Sequence, residues 1–280
     1  MTSIERLFVY PIKSARGFSP AAWQVDRLGF AYDRRWVVAL PDGQALTQRE
    51  EPRLALLAPG LGEDHLTLNA PVLPSLEVSL IPPAGAELLP VRIHGAPLAG
   101  VRVSAPADAW LTRLLGYDVR LIGVHEERRI DPRYAVSIAD RTGFADAFPF
   151  LVVGRGSLDE LNARLARPIP VDRFRPNLVV AGAAPFAEDG WRRIRAGEVA
   201  LAIVKPCARC VITTTDQQTG ARGEEPLRTL ASYRRDANGK VMFGQNAIHL
   251  GTGMIRAGDV VSVLDPAPGA ASRATRGAGG

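Results

Sequence analysis

Two stretches of this chain echo one another: IRAGEVALAIV, residues 194–204, and IRAGDVVSVL, residues 255–264. Each passes through a turn at Ala-Gly and an acidic residue, then continues into an apolar run rich in β-branched side chains. Such runs favour β-strands, because branched side chains pack well on a pleated surface. Two occurrences are too few for a repeat architecture, so we expect paired strands of a β-barrel.

Further strands are predicted on the N-terminal side of this pair. Residues 4–10 form a short apolar run that Pro11 ends, and residues 36–40 form another, followed by the turn Pro41-Asp42-Gly43. The remaining predicted strands cover residues 54–57, 66–68, 76–80, 91–93 and 119–124. With 27 Gly and 22 Pro the chain is rich in turns, so a mostly β fold is expected.

Two helices are predicted beside these strands. Residues 107–115 place their large apolar side chains on one face, and Gly116 is positioned to end the helix. A second helix is predicted from Ser157, because Ser157 and Glu160 have the spacing of a capping box. Pro168 is expected to end it.

Composition and charge exclude several classes of function. A formal net charge of +5 suits a solvated basic surface, a site for an anionic ligand, or nucleic acid. The arginines are scattered without a stacking platform or a helix-turn-helix pattern, so nucleic acid is not an expected partner. No apolar run approaches the ~20 residues of a membrane helix, and Glu5 and Arg6 interrupt any signal-peptide core. We therefore expect a cytoplasmic protein without a membrane segment.

The two cysteines, Cys207 and Cys210, lie together in KPCARC, residues 205–210. One pair cannot form a disulfide framework, and a structural zinc site would need further ligands that the dispersed histidines do not supply. Lys205 and Arg209 add positive charge that favours a thiolate, the form that acts as nucleophile or metal ligand. The alternatives are a small buried side chain and a thioredoxin-like redox pair, although β-branched residues follow the motif where a helix is expected.

Short basic and polar clusters recur along the chain. They are YPIKS (10–14), DRRW (33–36), LTQREEPRLALL (46–57) and DRFRPNL (172–178). Arginine presents a rigid fork of donors that suits a phosphate or a polar ring system. Three of the clusters adjoin predicted strands, where loops line a barrel mouth, so together they predict a site for one polar or anionic ligand.

These clusters, followed by KPCARC, TTTD and FGQN (243–246), occur in one order. The series closely resembles the MOSC-domain molybdenum enzymes with an N-terminal MOSC β-barrel domain, which include the mitochondrial amidoxime-reducing component and its bacterial relatives. The resemblance implies a mostly β fold with peripheral helices (α+β). In it, an N-terminal β-barrel-like MOSC domain, residues 1–120, packs on a MOSC β-barrel domain, residues 121–265. Residues 266–280 contain no core formers and are expected to be disordered.

The resemblance also implies a molybdenum cofactor, a molybdopterin whose sulfurs hold the metal. Cys210 matches the family's catalytic residue and its ligand to molybdenum, whereas Cys207 matches a position that is not a ligand. The segment FADAFPF, residues 144–150, matches a loop against the cofactor, in which Asp146 would orient the pterin or serve as an ordinary turn residue. Ala147 and Phe148 would contribute backbone groups. The other positions that match cofactor contacts are Lys13, Ser14, Arg34, Arg175, Asn177, Arg209 and Asn246, with Arg49 assigned to the same pocket.

The implied activity is the two-electron reduction of small N-hydroxylated substrates, namely amidoximes, hydroxylamines and N-hydroxylated bases. An iron–sulfur cluster needs more cysteine ligands than the two present. Electrons are therefore expected from a separate partner protein, a ferredoxin or a cytochrome-type reductase. MOSC domains also end molybdenum cofactor sulfurases, so the alternative is a cofactor carrier or a sulfur-transfer protein that uses a Cys210 persulfide.

Overall fold

A computed structural model describes residues 1–93, 95 and 97–266. The strands up to residue 124 are β1 (Ser3–Leu7), β2 (Ala22–Asp26), β3 (Gly29–Phe30), β4 (Trp36–Ala39), β5 (Gly60–Leu61), β6 (His65–Ala70), β7 (Leu73–Ser79), β8 (Leu88–Arg92), β9 (Pro97–Arg102) and β10 (Arg120–Val124). The later strands are β11 (Arg128–Arg129), β12 (Arg141–Thr142), β13 (Phe150–Gly154), β14 (Leu178–Ala181), β15 (Trp191–Ala196), β16 (Val199–Ala208), β17 (Met242–His249), β18 (Gly253–Arg256) and β19 (Val261–Pro266). The helices are α1 (Ala105–Leu115), α2 (Arg155–Arg164) and α3 (Leu227–Ala231).

The largest sheet has seven strands in the order β1-β14-β13-β17-β16-β15-β19. β13 and β14 run parallel, and the other neighbours run antiparallel. The edge strands meet at one corner, where the Val261 N–H donates to the Thr2 carbonyl at 2.9 Å and the Ile4 N–H donates to the Asp259 carbonyl at 2.8 Å. The sheet therefore curls into a half-barrel around an apolar core, and the prediction of a mostly β fold with peripheral helices is confirmed.

The echoing stretches form neighbouring strands of this sheet. β15 pairs antiparallel with β16 and with β19, and Ile194 lies opposite Val263. Ile194 of β15 and Val261 of β19 belong to the same core cluster. The paired strands therefore bury side chains in one shared core. The prediction of paired barrel strands is therefore confirmed.

A second core lies under the N-terminal sheets. β4, β10, β9 and β8 form one sheet, and β5, β6 and β7 form another. Helix α1 packs Trp110 and Leu111 into the core that they share with Leu66 and Leu68. The helix begins where the Ser104 hydroxyl accepts the Ala107 N–H and ends at Gly116, whose φ of 80° glycine adopts without steric cost.

Residues 54–57 are not a strand, as the sequence predicted, but part of a short 3₁₀ helix, Pro52–Leu56. Pro52 presets the helical φ, and the Glu51 carboxylate accepts the Arg53 N–H at 3.1 Å. Leu54 and Leu57 still enter the core, so the apolar residues are buried from a helical turn. The strand predicted over residues 4–10 is shorter than expected, because β1 ends at Leu7.

The capping box predicted at Ser157 is wrong. Helix α2 begins at Arg155, after Gly154, and the Ser157 hydroxyl lies within 2.7 and 2.8 Å of the Glu188 carboxylate oxygens. The same carboxylate accepts the Gly154 N–H at 3.0 Å, so a residue distant in sequence bonds both Ser157 and the residue that precedes α2. The helix also ends at Arg164, before Pro168.

The domain boundary predicted at residue 120 stays a prediction. Three strand pairs join residues on either side of it. β1 pairs with β14, β2 pairs with β18, and β10 pairs with β4. Residue 266 ends β19, and the rest of the segment expected to be disordered lies outside the described residues. Among the helices that the structure describes, none combines the length and the apolar character needed to cross a membrane.

Candidate functional site

A cleft of about 280 Å³ receives side chains from both halves of the chain. Every residue that the resemblance assigned to the site lines it: Lys13, Ser14, Arg34, Arg49, Asp146, Ala147, Phe148, Arg175, Asn177, Arg209, Cys210 and Asn246. The lining also includes residues that were not assigned: Ala145, Phe150, Leu151, Phe174, Lys205, Pro206, Cys207, Ala208 and Ile212. The structure thus brings the predicted residues together, while their roles in binding stay predictions.

Three of the cleft residues have a left-handed backbone. Ser14, Arg34 and Arg175 have φ values of 63°, 48° and 55°, a region that costs a non-glycine residue about 1–2 kcal/mol. Such conformations persist where the surrounding structure enforces them, and they concentrate at functional sites. Here they occur at the bends where the chain turns its polar side chains towards the cleft.

Tyr10 organises two of the cleft arginines. The guanidinium carbons of Arg34 and Arg175 lie 4.4 and 4.3 Å from the centre of its ring, and its buried hydroxyl donates to the Pro176 carbonyl at 3.1 Å. Arg175 also donates to the Ala15 carbonyl at 2.6 Å. Burial lowers the pKa of Arg175 to about 10, so Arg175 remains charged at neutral pH.

Asn177 links Arg34 to the half-barrel. Its side-chain oxygen accepts from the Arg34 guanidinium at 3.0 Å and from the Leu151 N–H at 3.2 Å, while its amide donates to the Phe8 carbonyl at 3.2 Å. Asn177 is only 1 % exposed, and both ends of its amide are satisfied. It therefore fixes one wall of the cleft.

Asp146 is held by cations from the N-terminal half. It pairs with Lys13 and lies 3.5 Å from the Arg49 guanidinium. The Lys13 ammonium also donates to the Phe144 carbonyl at 3.0 Å. Burial lowers the pKa of Lys13, and the charge of Asp146 opposes that effect. Arg128 donates to the carbonyls of Ala145 and Asp146, so this loop is anchored at both its side chain and its backbone.

The two thiols face different arginines. Cys210 precedes the 3₁₀ helix Val211–Thr214, and its carbonyl accepts the Thr213 hydroxyl at 3.0 Å. Burial lowers the pKa of Arg49, but the neighbouring Cys210 and Asp146 outweigh burial and leave this pKa raised. Arg209 donates to the Cys207 sulfur at 2.8 Å and to the Phe174 carbonyl at 2.7 Å. Both cysteines are free.

A buried pair of amides holds the loops around Cys210 against those around Ser14. Gln48 and Gln217 exchange two hydrogen bonds of 3.0 Å, and Gln48 donates to the Ser14 carbonyl at 2.7 Å. Gln217 donates in turn to the Thr215 carbonyl at 3.1 Å. Gln48, Gln217 and Tyr10 were not predicted as site residues, although each lies in or beside a motif quoted above.

The electrostatics of the cleft fit an anionic cofactor with a soft metal. Six cationic side chains line it, against the single carboxylate of Asp146, and the Arg209 Nε is buried without a hydrogen-bond partner. Guanidinium forks suit phosphate and polar ring systems, and a cysteine sulfur such as that of Cys210 is a soft metal ligand. The residues present therefore match the donor set that a molybdenum-pterin group requires.

Comparison with known proteins identifies two family domains in this chain. The MOSC N-terminal beta barrel domain matches residues 1–118 and the MOSC domain matches residues 139–262. Mitochondrial amidoxime-reducing component 1 of Mus musculus is 36% identical over 94% of this chain and 82% of its own length. Its Homo sapiens counterpart is 34% identical over 94% and 83%. Molybdenum cofactor sulfurase of Danio rerio is 30% identical over 88% of this chain but 32% of its own length. The chain therefore belongs to the MOSC-domain molybdenum cofactor enzyme family, together with the mitochondrial amidoxime-reducing components.

Proposed function

We propose that this protein is a molybdenum-cofactor-dependent reductase of N-hydroxylated compounds, namely amidoximes, hydroxylamines and N-hydroxylated bases. The observation that carries the proposal is the convergence of six cationic side chains and the Cys210 thiol on one cleft. The names of the relatives support the substrate class, since the match covers 82% of the mouse amidoxime-reducing component.

Each group of cleft residues has a distinct task in this proposal. Cys210 would be the protein's ligand to the metal, and Ser14, Arg34 and Arg175 would contact the pterin or its phosphate. Asp146 accepts N–H groups of the pterin. The remaining contacts to the cofactor come from Lys13, Arg49, Ala147, Phe148, Asn177, Arg209 and Asn246.

When bound, the cofactor supplies a molybdenum centre that exchanges two electrons with the substrate. The chain contributes orientation and charge balance around that centre. Lys13 and Arg49 keep Asp146 in place. The ring of Tyr10 contacts the guanidinium groups of both Arg34 and Arg175 and so holds them close to each other.

We further propose that electrons arrive from a separate protein, a ferredoxin or a cytochrome-type reductase. The two cysteines of this chain are too few to hold an iron–sulfur cluster beside the molybdenum ligand. A cytoplasmic location and the lack of nucleic-acid or membrane partners remain predictions from the sequence.

The test is metal analysis with a parallel activity assay. The wild type, Cys210→Ser and Cys207→Ser are expressed with a working cofactor supply, and each is assayed with benzamidoxime and reduced methyl viologen as electron donor. We expect near-stoichiometric molybdenum and turnover in the wild type, loss of both in Cys210→Ser, and substantial retention in Cys207→Ser. Equal loss in both variants would indicate a redox pair, and no molybdenum in the wild type would overturn the proposal.

The similarity to molybdenum cofactor sulfurase favours a second candidate, a cofactor carrier or a sulfur-transfer protein that uses a Cys210 persulfide. The extent of the match argues for the reductase, because only 32% of the sulfurase is covered. A carrier would release its cofactor to an acceptor apoprotein and leave benzamidoxime unreduced. A reductase would retain its cofactor through repeated turnovers.

A further inference from the structure

One cationic side chain of the cleft, Lys205, is not among the residues assigned to the cofactor. It lines the cavity on strand β16, where it lies opposite Asn246 of β17. Its ammonium is 4.6 Å from the centre of the Tyr134 ring. The Lys205 ammonium therefore lies over the face of the Tyr134 ring, and Lys205 lines the cleft.

Tyr134 contacts both Lys205 and Phe148, an aromatic residue that lines the cleft. The rings of Tyr134 and Phe148 meet edge to face, with centres 5.8 Å apart and an interplanar angle of 81°. Phe148 lines the cavity, whereas Tyr134 comes from the loop between β11 and β12. Three elements distant in sequence thus place an ammonium and two rings side by side.

The loop that carries Tyr134 is structured by its own hydrogen bonds. The Tyr134 N–H donates to the Asp131 carbonyl at 2.9 Å, and the Val136 N–H donates to the Asp140 carboxylate at 2.7 Å. The β11–β12 pairing, with Arg129 opposite Arg141, closes the base of the loop. These bonds define the backbone of the loop that carries the Tyr134 ring.

The ammonium of Lys205 is available to a ligand. Within the part of the chain that the structure describes, Lys205 forms no ion pair, and the nearby carboxylate of Asp131 is engaged by Arg133 at 2.6 Å. The hydrogen bonds from Arg133 lower the pKa of Asp131 to about 2, and the charge of Lys205 contributes least to this shift.

We propose that Lys205, Tyr134 and Phe148 form a substrate subsite for an aromatic ring that carries a carboxylate. The ring packs against the two aromatic side chains, because rings prefer offset or edge-to-face neighbours. The carboxylate meets the Lys205 ammonium, which the Tyr134 ring holds in position. This proposal rests on the proposed function. The substrates that it names are aryl amidoximes with an acidic group on the side of the ring away from the N-hydroxyl.

The first experiment compares steady-state kinetics of the holoenzyme on benzamidoxime and 4-carboxybenzamidoxime with reduced methyl viologen. We expect the wild type to show a KM for the carboxylate about fivefold lower, the factor for an ion pair of ~1 kcal/mol at a half-exposed site. Lys205→Met should abolish this preference and change the KM for benzamidoxime by less than about twofold. Equal KM values for the two substrates in the wild type would overturn the inference.

Two further variants separate the charge from the rings. Tyr134→Leu should raise the KM for both aromatic substrates and leave that for hydroxylamine unchanged. Lys240→Met removes the same charge from an exposed position outside the cleft and should keep the wild-type preference. A loss of preference in Lys240→Met as large as that in Lys205→Met would mean that general charge, rather than the subsite, selects the substrate.

A binding measurement distinguishes failure of the subsite from failure of the proposed function. Titration of the holoprotein with 4-carboxybenzamide and benzamide, which contain no N–O bond, should show tighter binding of the carboxylate and loss of that difference in Lys205→Met. If the wild type reduces neither amidoxime but shows this preference, the proposed function is wrong and the subsite stands. If it reduces benzamidoxime but binds the two amides equally, the subsite is wrong.

Discussion

Replacing Tyr10 by Leu should release the two arginines that its ring holds in the cleft. The ring contacts the guanidinium groups of Arg34 and Arg175, and a buried cation–π contact contributes about 1 kcal/mol or more. The hydroxyl adds a hydrogen bond to the Pro176 carbonyl, worth about 1 kcal/mol. The substitution should therefore lower the free energy of unfolding by about 3 kcal/mol.

The same substitution should weaken retention of the cofactor. Arg34 and Arg175 keep hydrogen bonds to Asn177 and Ala15, so they would remain near the cleft but lose their fixed spacing. A loss of ~1.4 kcal/mol in binding corresponds to a tenfold lower affinity. Molybdenum content after exhaustive dialysis measures retention, and urea unfolding measures stability.

Two variants test whether the ring itself is responsible. Tyr10→Phe keeps both cation–π contacts and should retain molybdenum as the wild type does, despite a loss of about 1 kcal/mol in stability. Tyr233→Leu is a matched control, because Arg164 lies 4.2 Å from that ring outside the cleft, and its hydroxyl donates to Glu160 at 2.9 Å. The reasoning is refuted if Tyr10→Leu retains as much molybdenum as Tyr233→Leu.

Two further predictions concern buried polar groups. Glu188→Ala should lower the free energy of unfolding by about 2–3 kcal/mol, because it leaves the Gly154 N–H and the Ser157 hydroxyl without an acceptor. Glu188→Gln should lower it by less than about 1 kcal/mol. Burial raises the pKa of Glu188, so the folded state binds its proton more tightly than the unfolded state does. The unfolding free energy of the wild type minus that of Glu188→Gln should therefore fall as the pH rises above about 4.3. Urea unfolding from pH 4 upwards measures this difference, and a constant value would contradict the prediction. Gln48→Ala and Gln217→Ala should each lower the free energy of unfolding by about 1–3 kcal/mol. The double variant should lose less than the sum of the two, because each amide is the other's partner. Strict additivity of the unfolding free energies would show that the pair is not coupled.

Elements that depend on local sequence were predicted closely. Helix α1 was expected over residues 107–115 and covers Ala105–Leu115, with Gly116 at its end. Its apolar spacing and its terminating glycine all lie within one short stretch, so no distant contact is needed to define it. The echoing strands were predictable for the same reason, because a turn followed by a β-branched run is a local signal.

Elements that depend on partners distant in sequence were not predicted correctly. Residues 54–57 have the composition of a strand, yet they belong to a 3₁₀ helix whose leucines pack against distant core residues such as Leu66 and Leu111. Ser157 has the spacing of a capping box, but a buried carboxylate 31 residues away takes its hydroxyl. A hydroxyl bonds the strongest acceptor that the fold places beside it, and spacing along the chain does not reveal that acceptor.

The candidate site divides in the same way. The order of its motifs pointed to the family and to twelve of the residues that line the cleft, because those motifs can be read along the chain without coordinates. The pairing of Lys13 with Asp146 spans 133 residues, and the grouping of Lys205, Tyr134 and Phe148 joins three separate elements. Which side chains touch depends on how the strands curl and where their loops meet, and that follows from long-range packing of the core rather than from any local pattern.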